Sequence, residues 1–361
     1  MKNKKILFVL PNFSGGGAER VFINLSSFIS KEKYLDVYIL VFNNSGPLKE
    51  FLSEKVKIIN LNRDSLRFSI FDLVKEIRLL KPDLIFSTFG YVNLAILIAR
   101  PVLPKNSKIW IREANMPSVS LKKNRLHLLF KFLYLILYRT SNKIICSSLQ
   151  MKNEFIKLFF INPEKISILY NPIDVKSIRG HIDQGKFKVN SDVLSFISVG
   201  RLTEQKAFDE LIKLFSQIKQ KNSTLKIFGD GNLKTMLNEI ILSLGIENRV
   251  KIFPFTKNIW SHIAISDAFL STSRWEGMPN SILESLASGT KVISSSSAGA
   301  VKEITNLCNK NNIVIFDNKE CFLDEINKIK KKKCIEDSLL PDSFEIENVV
   351  KKFLGMIDEE V

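Results

Sequence analysis

The chain has 361 residues, of which 45% are hydrophobic and 25% are charged, and its formal net charge is +16. This length exceeds one ordinary hydrophobic core and therefore predicts two domains. No uncharged apolar run reaches the length of about 18 residues that a membrane-spanning helix needs. The positive charge indicates an anionic partner, either a nucleic acid or an anionic membrane leaflet, and composition alone does not decide between them.

Histidine and cysteine are too few and too scattered to indicate a metal site. The chain has three histidines and four cysteines, and no two cysteines have the spacing of a metal-binding pair. We therefore expect no bound metal, no cofactor and a reduced cytoplasmic compartment. The cysteines are Cys146, Cys308, Cys321 and Cys334.

The first segment is an apolar strand, residues 4–10, followed by a glycine-rich loop and an amphipathic helix, residues 18–29. Its basic and apolar start looks superficially like a signal peptide, but it runs into the loop without a cleavage site of small residues. Because glycine lets a backbone approach a phosphate at the start of a helix, Gly16 and Gly17 are candidates for such a contact. The alternative is a plain tight turn, since Arg20 stands where a dinucleotide fingerprint has its last glycine.

Strand-like and helix-like segments alternate between residues 36 and 112, which predicts a doubly wound parallel sheet. In such sheets, ligands bind where the strands end. Residues 111–115 directly follow a strand. Their polar members Glu113 and Asn115 are therefore candidate ligand contacts.

The stretch between residues 118 and 143 carries six basic residues and no acidic residue, interleaved with apolar ones. This pattern is typical of a helix that lies on an anionic membrane surface. The alternative is a buried helix that is preceded by a basic loop. The six basic residues are Lys122, Lys123, Arg125, Lys131, Arg139 and Lys143.

A polar segment, residues 177–192, follows the turn Asn171-Pro172-Ile173-Asp174 and predicts a domain boundary. The strand–loop–helix pattern then restarts with a strand at residues 193–199. Arg201 and Lys206 lie in the loop that follows. Arginine binds a diphosphate through two parallel hydrogen bonds and lysine supplies a point charge, so the loop is a candidate diphosphate site. The alternative is a pair of exposed surface cations.

Residues 267–296 are the most informative stretch, and they read as strand, loop, helix and strand. The helix should begin near Pro279 and stop at Gly289. The amides from Gly277 to Ser281 then lie at its positive end, where an anion binds well. Glu276 and Glu284 flank this end and would accept hydrogen bonds from hydroxyl groups. An anion beside hydroxyl-rich groups describes a nucleotide sugar, whereas the alternative is a solvated helix with two surface acids.

The spacing Glu276-x7-Glu284, followed by Ala-Ser-Gly-Thr, resembles the E-x7-E signature of glycosyltransferase family 4, whose members are retaining enzymes. Three other segments are similar to motifs of that family: Ser-Gly-Gly-Gly-Ala-Glu-Arg at 14–20, the Asn171 turn, and Gly-Arg-Leu-x-x-x-Lys at 200–206. The resemblance covers nearly the whole chain. One departure is Ala207, which replaces the usual glycine after the lysine.

The resemblance implies an α/β architecture of the GT-B type, with two Rossmann-like doubly wound domains facing across a cleft. Residues 1–175 would bind the acceptor, residues 185–340 the nucleotide sugar, and a helix within residues 341–361 would cross back to the first domain. Four consecutive lysines, residues 330–333, are interpreted as a solvated helix end.

The same resemblance assigns roles to the candidate residues. Glu276, Arg201 and Lys206 would be catalytic, and Glu113 and Asn115 would lie on the acceptor side. Ala114 stands in a neighbourhood where many relatives carry histidine, so we predict no histidine base, and the chain also lacks the Asp-x-Asp pair of metal-dependent glycosyltransferases. The residues predicted to bind the donor are Gly16, Gly17, Arg201, Lys206, Glu276, Gly277, Met278, Pro279, Asn280, Ser281 and Glu284.

The predicted reaction is therefore transfer of a sugar, with retention, from a nucleotide diphosphate sugar, with UDP favoured, to a lipid-linked or other membrane-associated glycan. It would serve envelope polysaccharide or lipopolysaccharide synthesis at the cytoplasmic face of the plasma membrane. Three alternatives remain: a sugar-nucleotide epimerase, a non-catalytic partner subunit and a nucleic-acid-binding module. The scarcity of histidine disfavours the first and the intact motif residues disfavour the second. No recognised nucleic-acid motif supports the third.

Overall fold

A computed structural model of the protein describes residues 3–63, 66–122, 126–182, 193–309 and 311–361. The chain divides into two compact units, of which the first comprises Met1–Pro172 with Ile346–Val361 and the second comprises Ile173–Glu345. The predicted ends at 175 and 340 differ from these limits by three and five residues, whereas the second unit starts twelve residues before the predicted 185. Residues 183–192, which form most of the predicted polar linker, lie outside the described residues.

The first unit contains a parallel sheet of seven strands in the order β3-β2-β1-β4-β5-β6-β7. Its central strands are near-continuous apolar runs because both faces of the sheet are covered. The strands are β1 (Lys4–Leu10), β2 (Leu35–Val41), β3 (Lys57–Asn60), β4 (Leu84–Thr88), β5 (Lys108–Arg112), β6 (Lys143–Cys146) and β7 (Ile166–Ile168).

The second unit contains a parallel sheet of six strands in the order β10-β9-β8-β11-β12-β13. In both units the first strand in sequence is an interior strand of the sheet. Later strands of the same unit lie on both sides of it. The strands are β8 (Leu194–Val199), β9 (Ser223–Phe228), β10 (Val250–Phe253), β11 (Ala268–Ser271), β12 (Val292–Ser295) and β13 (Ile313–Phe316).

Helices connect the strands and cover the two sheets. They are α1 (Gly17–Ile29), α2 (Leu66–Leu80), α3 (Gly90–Ala99), α4 (Pro117–Lys122), α5 (His127–Leu137), α6 (Leu149–Phe159), α7 (Val175–Ile182), α8 (Phe208–Phe215), α9 (Lys234–Ser243), α10 (Ile259–Ala264), α11 (Asn280–Ala287), α12 (Val301–Leu307), α13 (Lys319–Asn327) and α14 (Ile346–Glu360). Short 3₁₀ turns are formed by Pro47–Phe51, Arg100–Val102, Tyr138–Thr140, Pro163–Lys165, Glu204–Lys206 and Asp342–Phe344.

The core of the first unit has two layers, one on each face of its sheet. Alternate residues of each strand enter opposite layers, so Phe8 and Phe86 lie in one and Leu7 and Ile85 in the other. The C-terminal helix α14 packs into the first layer through Phe353, whose ring lies 5.4 Å from that of Phe86. This helix therefore belongs to the first unit although it follows the second in sequence.

The four lysines at 330–333 do not form a solvated helix end, so that interpretation is wrong. Helix α13 ends at Asn327, and the lysines lie beyond it in a segment without regular secondary structure. Lys332 is buried, and its Nζ donates to the carbonyl oxygens of Ala264 and Gly289 at 3.0 and 2.7 Å. Burial lowers the pKa of Lys332 to about 8.

Candidate active site

The site in the second unit forms where the loops after β8 and β11 meet. These strands are neighbours in the sheet, and β9 pairs with the other edge of β8, so the carboxyl end of β8 is a topological switch point. The two loops are joined by hydrogen bonds from the Arg274 amide to the Gln205 carbonyl at 2.8 Å and from the Gln205 side chain to the Trp275 carbonyl at 3.0 Å. The geometry places residues 200–207 and 272–279 side by side.

Glu276 is the centre of these contacts, and its side chain is largely buried. Its Oε1 lies 2.6 Å from Lys206 Nζ, and its Oε2 accepts a hydrogen bond from the Gln205 side chain at 3.1 Å. The predicted catalytic residues Glu276 and Lys206 are thus brought together as a largely buried ion pair. Each group therefore compensates the charge of the other.

Arg201 lies in the same loop as Lys206 but has a different environment. Its side chain is exposed and makes no hydrogen bond or ion pair with the residues that the structure describes. A guanidinium in this state can bind a diphosphate without first losing another partner. The loop therefore offers one free cation and one cation paired with a carboxylate.

Helix α11 follows Glu276 and begins at Asn280, with Pro279 as its N-cap residue. Glu284, in the second turn, is half-buried and accepts a hydrogen bond from the Trp260 indole at 3.4 Å. The helix stops as predicted, because Gly289 has the left-handed conformation with φ of +75°. Beyond that point, Lys332 Nζ binds the carbonyl of Gly289, which places a cation at the negative end of the helix.

A second backbone segment supports the Glu276 loop. Gly299 has φ of +65°, and a Cβ at this position would overlap the carbonyl of Glu276. Only glycine allows the loop before α12 to approach Glu276 so closely. The segment around Gly299 thereby fixes the backbone from which the Glu276 side chain extends.

The predicted phosphate contact at the start of α1 is partly occupied by the chain itself. Gly16 is the N-cap residue of α1 and Gly17 is its first residue. The carboxylate of Glu19 lies against Gly16, so that a Cβ on Gly16 would overlap it. A carboxylate in the first turn stabilises a helix start as a bound anion would. Donor binding by Gly16 and Gly17 stays a prediction.

A second buried carboxylate, Glu113, lies at the carboxyl end of β5 in the first unit. Its Oε1 accepts hydrogen bonds from the Tyr134 hydroxyl at 3.0 Å, from the Asn93 amide at 3.1 Å and from the Tyr138 hydroxyl. Burial raises the pKa of Glu113 to about 7, although these donors and Arg112 act in the opposite direction. Asn115 is half-buried and its side chain makes no hydrogen bond with the described residues.

Arg112 precedes Glu113 and is also buried. Its guanidinium donates to Asn171 Oδ1 at 2.5 Å, which connects β5 to the turn at residues 171–174. Burial lowers the pKa of Arg112 to about 10. No carboxylate lies within ion-pairing distance of it among the described residues. The contact with Asn171 explains why the turn is attached to the end of this strand.

Helix α5 has an apolar face that is exposed. We call this surface the α5 patch. Its members have exposed fractions between 49% and 71%, and they are Leu126, Leu128, Leu129, Phe132 and Ile136. The opposite side carries the buried Tyr134 of α5 and the buried Tyr138 of the turn that follows. The helix is therefore exposed along one side and packed along the other.

The basic residues around α5 do not all share this surface. Lys122, Lys131 and Arg139 are exposed, whereas Lys143 is buried and paired with Glu360 at 2.6 Å. Lys143 is thus a structural cation of the first unit, and its assignment to the basic surface was wrong. Lys123 and Arg125 lie outside the described residues.

Several residues of these sites carried no recognised sequence signal. Lys332 and Asn93 contact partners from distant segments of the chain, and local sequence patterns do not predict such contacts. The spacing of Tyr134 and Tyr138, by contrast, is a signal that the sequence contains. They are four residues apart in a largely apolar segment, Tyr134 in α5 and Tyr138 in the turn that follows, which places both hydroxyls on one face.

Metal ligands and membrane spans were also sought in the structure. Within the described ranges, no three His, Cys, Asp or Glu side chains are arranged to hold a metal ion. In the same part of the chain, no helix combines the length and the apolar character required to cross a bilayer.

Known proteins resemble this chain along nearly its whole length. The Glycosyltransferase Family 4 model matches residues 15–177, and the model for Glycosyl transferases group 1 matches residues 181–339. An uncharacterised glycosyltransferase of Methanocaldococcus jannaschii is 30% identical over 285 residues, which are 72% of this chain and 68% of that protein.

Two relatives are named for a specific activity. The N-acetylgalactosamine-N,N'-diacetylbacillosaminyl-diphospho-undecaprenol 4-alpha-N-acetylgalactosaminyltransferase of Campylobacter jejuni is 27% identical over 314 residues, which are 83% of each protein. The UDP-Gal:alpha-D-GlcNAc-diphosphoundecaprenol alpha-1,3-galactosyltransferase of Escherichia coli is 25% identical over 342 residues, covering 87% of this chain and 82% of that protein.

The solved structures agree on the fold. Anabaena HepE, crystallised with UDP and glucose, aligns with a TM-score of 0.81 and 18% identity over 99% of this chain and 100% of that chain. The predicted architecture of two Rossmann-like domains of the GT-B type is confirmed. The chain belongs to the glycosyltransferases that the family 4 and group 1 models describe.

Proposed function

We propose that the protein transfers a sugar, with retention, from a UDP-sugar to a glycan on an undecaprenyl diphosphate or similar lipid carrier. The observation that carries the donor assignment is the switch-point site, where exposed Arg201 lies in the same loop as the Lys206–Glu276 pair. The named relatives from Campylobacter jejuni and Escherichia coli support the acceptor class. They also support a hexose or N-acetylhexosamine as the transferred sugar.

The difficult step is breaking the bond between the anomeric carbon and the diphosphate, because negative charge develops on the leaving group. Arg201, Lys206 and the amides at the start of α11 would stabilise this charge. Glu276 would accept hydrogen bonds from donor sugar hydroxyls, and Glu284 from the ribose. Gly277, Met278, Pro279, Asn280 and Ser281 would form the backbone wall of the donor site.

The mechanism that this assignment favours has no protein nucleophile. The acceptor hydroxyl attacks the face that the diphosphate leaves, and a phosphate oxygen takes the proton of that hydroxyl. The positive groups of the donor loop supply the charge stabilisation, so the proposal includes no metal ion. The chelator EDTA should then leave the rate of transfer unchanged, and a rate that EDTA abolishes and Mg²⁺ restores would contradict this part.

Donor binding is tested by thermal unfolding in the presence of UDP, GDP, ADP and CDP. A ligand that binds only the folded state raises the melting temperature, so UDP should give the largest shift. Arg201→Ala should abolish the shift, whereas Arg78→Ala, which removes an exposed arginine of α2, should preserve it. A shift with UDP but no transfer to any lipid-linked acceptor would favour the non-catalytic partner subunit.

The lipid-linked acceptor requires the enzyme to work at a bilayer, and the α5 patch is the surface proposed to dock there. Exposed apolar side chains would enter the interface while Lys122, Lys131 and Arg139 face anionic headgroups. Membrane docking of this kind places the protein peripherally on the cytoplasmic leaflet.

Flotation with phosphatidylglycerol vesicles tests this surface. The wild type should float with them and not with phosphatidylcholine vesicles. The triple change Leu128→Ser, Phe132→Ser and Lys131→Glu should abolish flotation, while Lys75→Glu on α2 serves as the charge control. Unchanged flotation of the triple variant would contradict the assignment.

A further inference from the structure

The carboxyl end of β5 holds a carboxylate, Glu113, that forms no ion pair with the residues that the structure describes, although the charge of the neighbouring Arg112 lowers its pKa. Glu113 is 4% exposed, and no lysine, arginine or histidine nitrogen lies within ion-pairing distance of it among the described residues. Its partners there are the neutral donors Asn93, Tyr134 and Tyr138. Burying a carboxylate without a cation opposes folding, so stability does not explain this arrangement.

The donors all bind the same oxygen of Glu113. Tyr134, Tyr138 and Asn93 direct their hydrogen bonds to Oε1, and Oε2 accepts none from the described residues. The two oxygens of a carboxylate share about four lone-pair sites, and the three internal hydrogen bonds all lie at Oε1. Oε2 therefore retains the capacity to bind a hydrogen-bond donor from outside the protein.

The residues around Glu113 are closely packed. A Cβ on Gly90, the first residue of α3, would overlap the Tyr134 hydroxyl and would lie 3.4 Å from Glu113 Oε1. The ends of β4 and β5 are neighbours in the sheet, and such neighbouring strand ends are where ligands of parallel sheets bind. The cluster thus combines a fixed carboxylate with a position suited to a ligand.

Helix α5 contributes Tyr134, and the 3₁₀ turn that directly follows it contributes Tyr138, both on the side opposite the α5 patch. We propose that Glu113 Oε2 accepts a hydrogen bond from a hydroxyl of the acceptor glycan, and that Tyr134 and Tyr138 are positioning residues that fix Glu113 for this contact. This inference rests on the proposed function. One helix would then dock on the lipid surface with one face and set the acceptor-binding carboxylate with the other.

A sugar hydroxyl is the ligand chemistry that suits Oε2. A phosphate would be repelled by the carboxylate, and a carbonyl oxygen has no proton to donate. A glycan offers neutral donors in abundance. The carboxylate would therefore recognise the sugar part of a lipid-linked acceptor, and its diphosphate would lie elsewhere.

Glu113→Gln is the most direct test, because glutamine keeps one acceptor oxygen for the internal donors and replaces the other by an NH₂ donor. The probes are UDP-galactose and UDP-N-acetylgalactosamine as donors and N-acetylglucosaminyl-diphospho-undecaprenol as acceptor. We expect kcat/KM for the acceptor to fall by about 10- to 100-fold, as for loss of a hydrogen bond to a charged group. The affinity for UDP should not change. Glu164→Gln, at an exposed site, is the matched control.

Tyr134→Phe and Tyr138→Phe test the positioning role through the pH profile. The ionisable and charged groups that face Glu113 are Arg112, Tyr134, Tyr138 and Cys146, and Glu113 alone among them titrates near neutrality. The wild-type kcat/KM for the acceptor should fall below about pH 7. Each phenylalanine should move this limb to higher pH, because the lost hydrogen bond had lowered the pKa of Glu113. Tyr38→Phe, on β2, should leave it in place.

The outcomes distinguish a failure of this inference from a failure of the proposed function. Full acceptor kcat/KM in Glu113→Gln, or a pH limb that the phenylalanine variants do not move, would overturn the inference while leaving glycosyl transfer intact. Loss of UDP affinity in Glu113→Gln would show a general structural effect and would also overturn it. Absence of transfer by the wild type with these probes would instead remove the proposed function, and the inference with it.

Discussion

Glu276 and Glu113 are both buried glutamates that follow a strand of a parallel sheet, one in each unit, but the protein compensates them differently. Glu276 is paired with Lys206 and with the side chain of Gln205 from the adjacent loop. Glu113 is surrounded by two phenol groups and an amide, and its pKa is raised to about 7. Burial alone therefore does not define the chemistry of a carboxylate, because a cation and a neutral donor leave it in different states.

This contrast predicts the largest effect for Lys206→Ala, which would leave Glu276 buried without its cation. Breaking a buried pair on one side destabilises a protein by about 3–5 kcal/mol. Transfer should also fall by at least about 100-fold, since a charge that stabilises the leaving group is lost. Urea unfolding and a transfer assay measure both effects, with the exposed Lys219→Ala as control. A loss of stability within the range of ordinary surface changes would show that the pair is not structurally important.

Glu113→Gln should have the opposite effect on stability and increase the free energy of unfolding by about 1–3 kcal/mol at pH 8. The pKa of Glu113 is about 7 in the native state and 4.5 as the ordinary value, so the native protein binds more protons between these values. The wild type therefore loses stability as the pH rises through this window, and the glutamine variant does not. Below pH 4.5 the difference should disappear. Urea unfolding at pH 4 and 8 measures it, and equal stabilities at pH 8 would contradict the account of Glu113.

Lys332 extends the comparison to a cation whose Nζ donates, within the described part of the chain, to neutral acceptors alone, namely two carbonyl groups and the Thr290 hydroxyl. Its native pKa is about 8, below the ordinary value of 10.5, so the unfolded state binds more protons between these values. Raising the pH from 8 to 10.5 should therefore stabilise the wild type relative to Lys332→Met by about 1–2 kcal/mol. Parallel stability curves for the two proteins would show that Lys332 titrates normally.

Arg201→Ala should have the smallest effect on stability, within about 0.5 kcal/mol, because its side chain is exposed and makes no hydrogen bond or ion pair with the described residues. Its effect on UDP affinity should nevertheless be about tenfold or more, as expected for loss of a charged hydrogen-bond donor. The variant thus separates donor binding from folding. Urea unfolding beside a UDP titration measures the two quantities, and a large loss of stability would mean that Arg201 has a structural role.

The sequence was sufficient to predict the parts of the fold that depend on local pattern. Alternating apolar segments indicated two parallel sheets, and the stop of α11 at Gly289 followed from the conformational freedom of glycine. Lys206 and Glu276 were identified through their motifs. Their pairing was not predicted, because it depends on strands β8 and β11 being neighbours although 68 residues lie between β8 and β11 in sequence.

Long-range contacts explain why other residues have roles in the structure that the sequence did not predict. Lys143 was assigned to a basic membrane-facing stretch and Lys332 to a solvated helix end, but tertiary packing brings Glu360 to the first and helix-end carbonyls to the second. Tyr134 and Tyr138 read as part of an apolar helix, and their polar role appears only when β5 places Glu113 beside them. These are effects of packing between segments, which local periodicity does not encode.

Calorimetric titration of UDP into the wild type, Arg201→Ala and Glu113→Gln tests most directly the claim that donor binding belongs to the switch-point site of the second unit. The account predicts that the wild type and Glu113→Gln bind UDP with equal affinity, whereas Arg201→Ala binds it about tenfold more weakly or worse. Equal affinity in Arg201→Ala, or an equal loss in both variants, would contradict the assignment of the donor site.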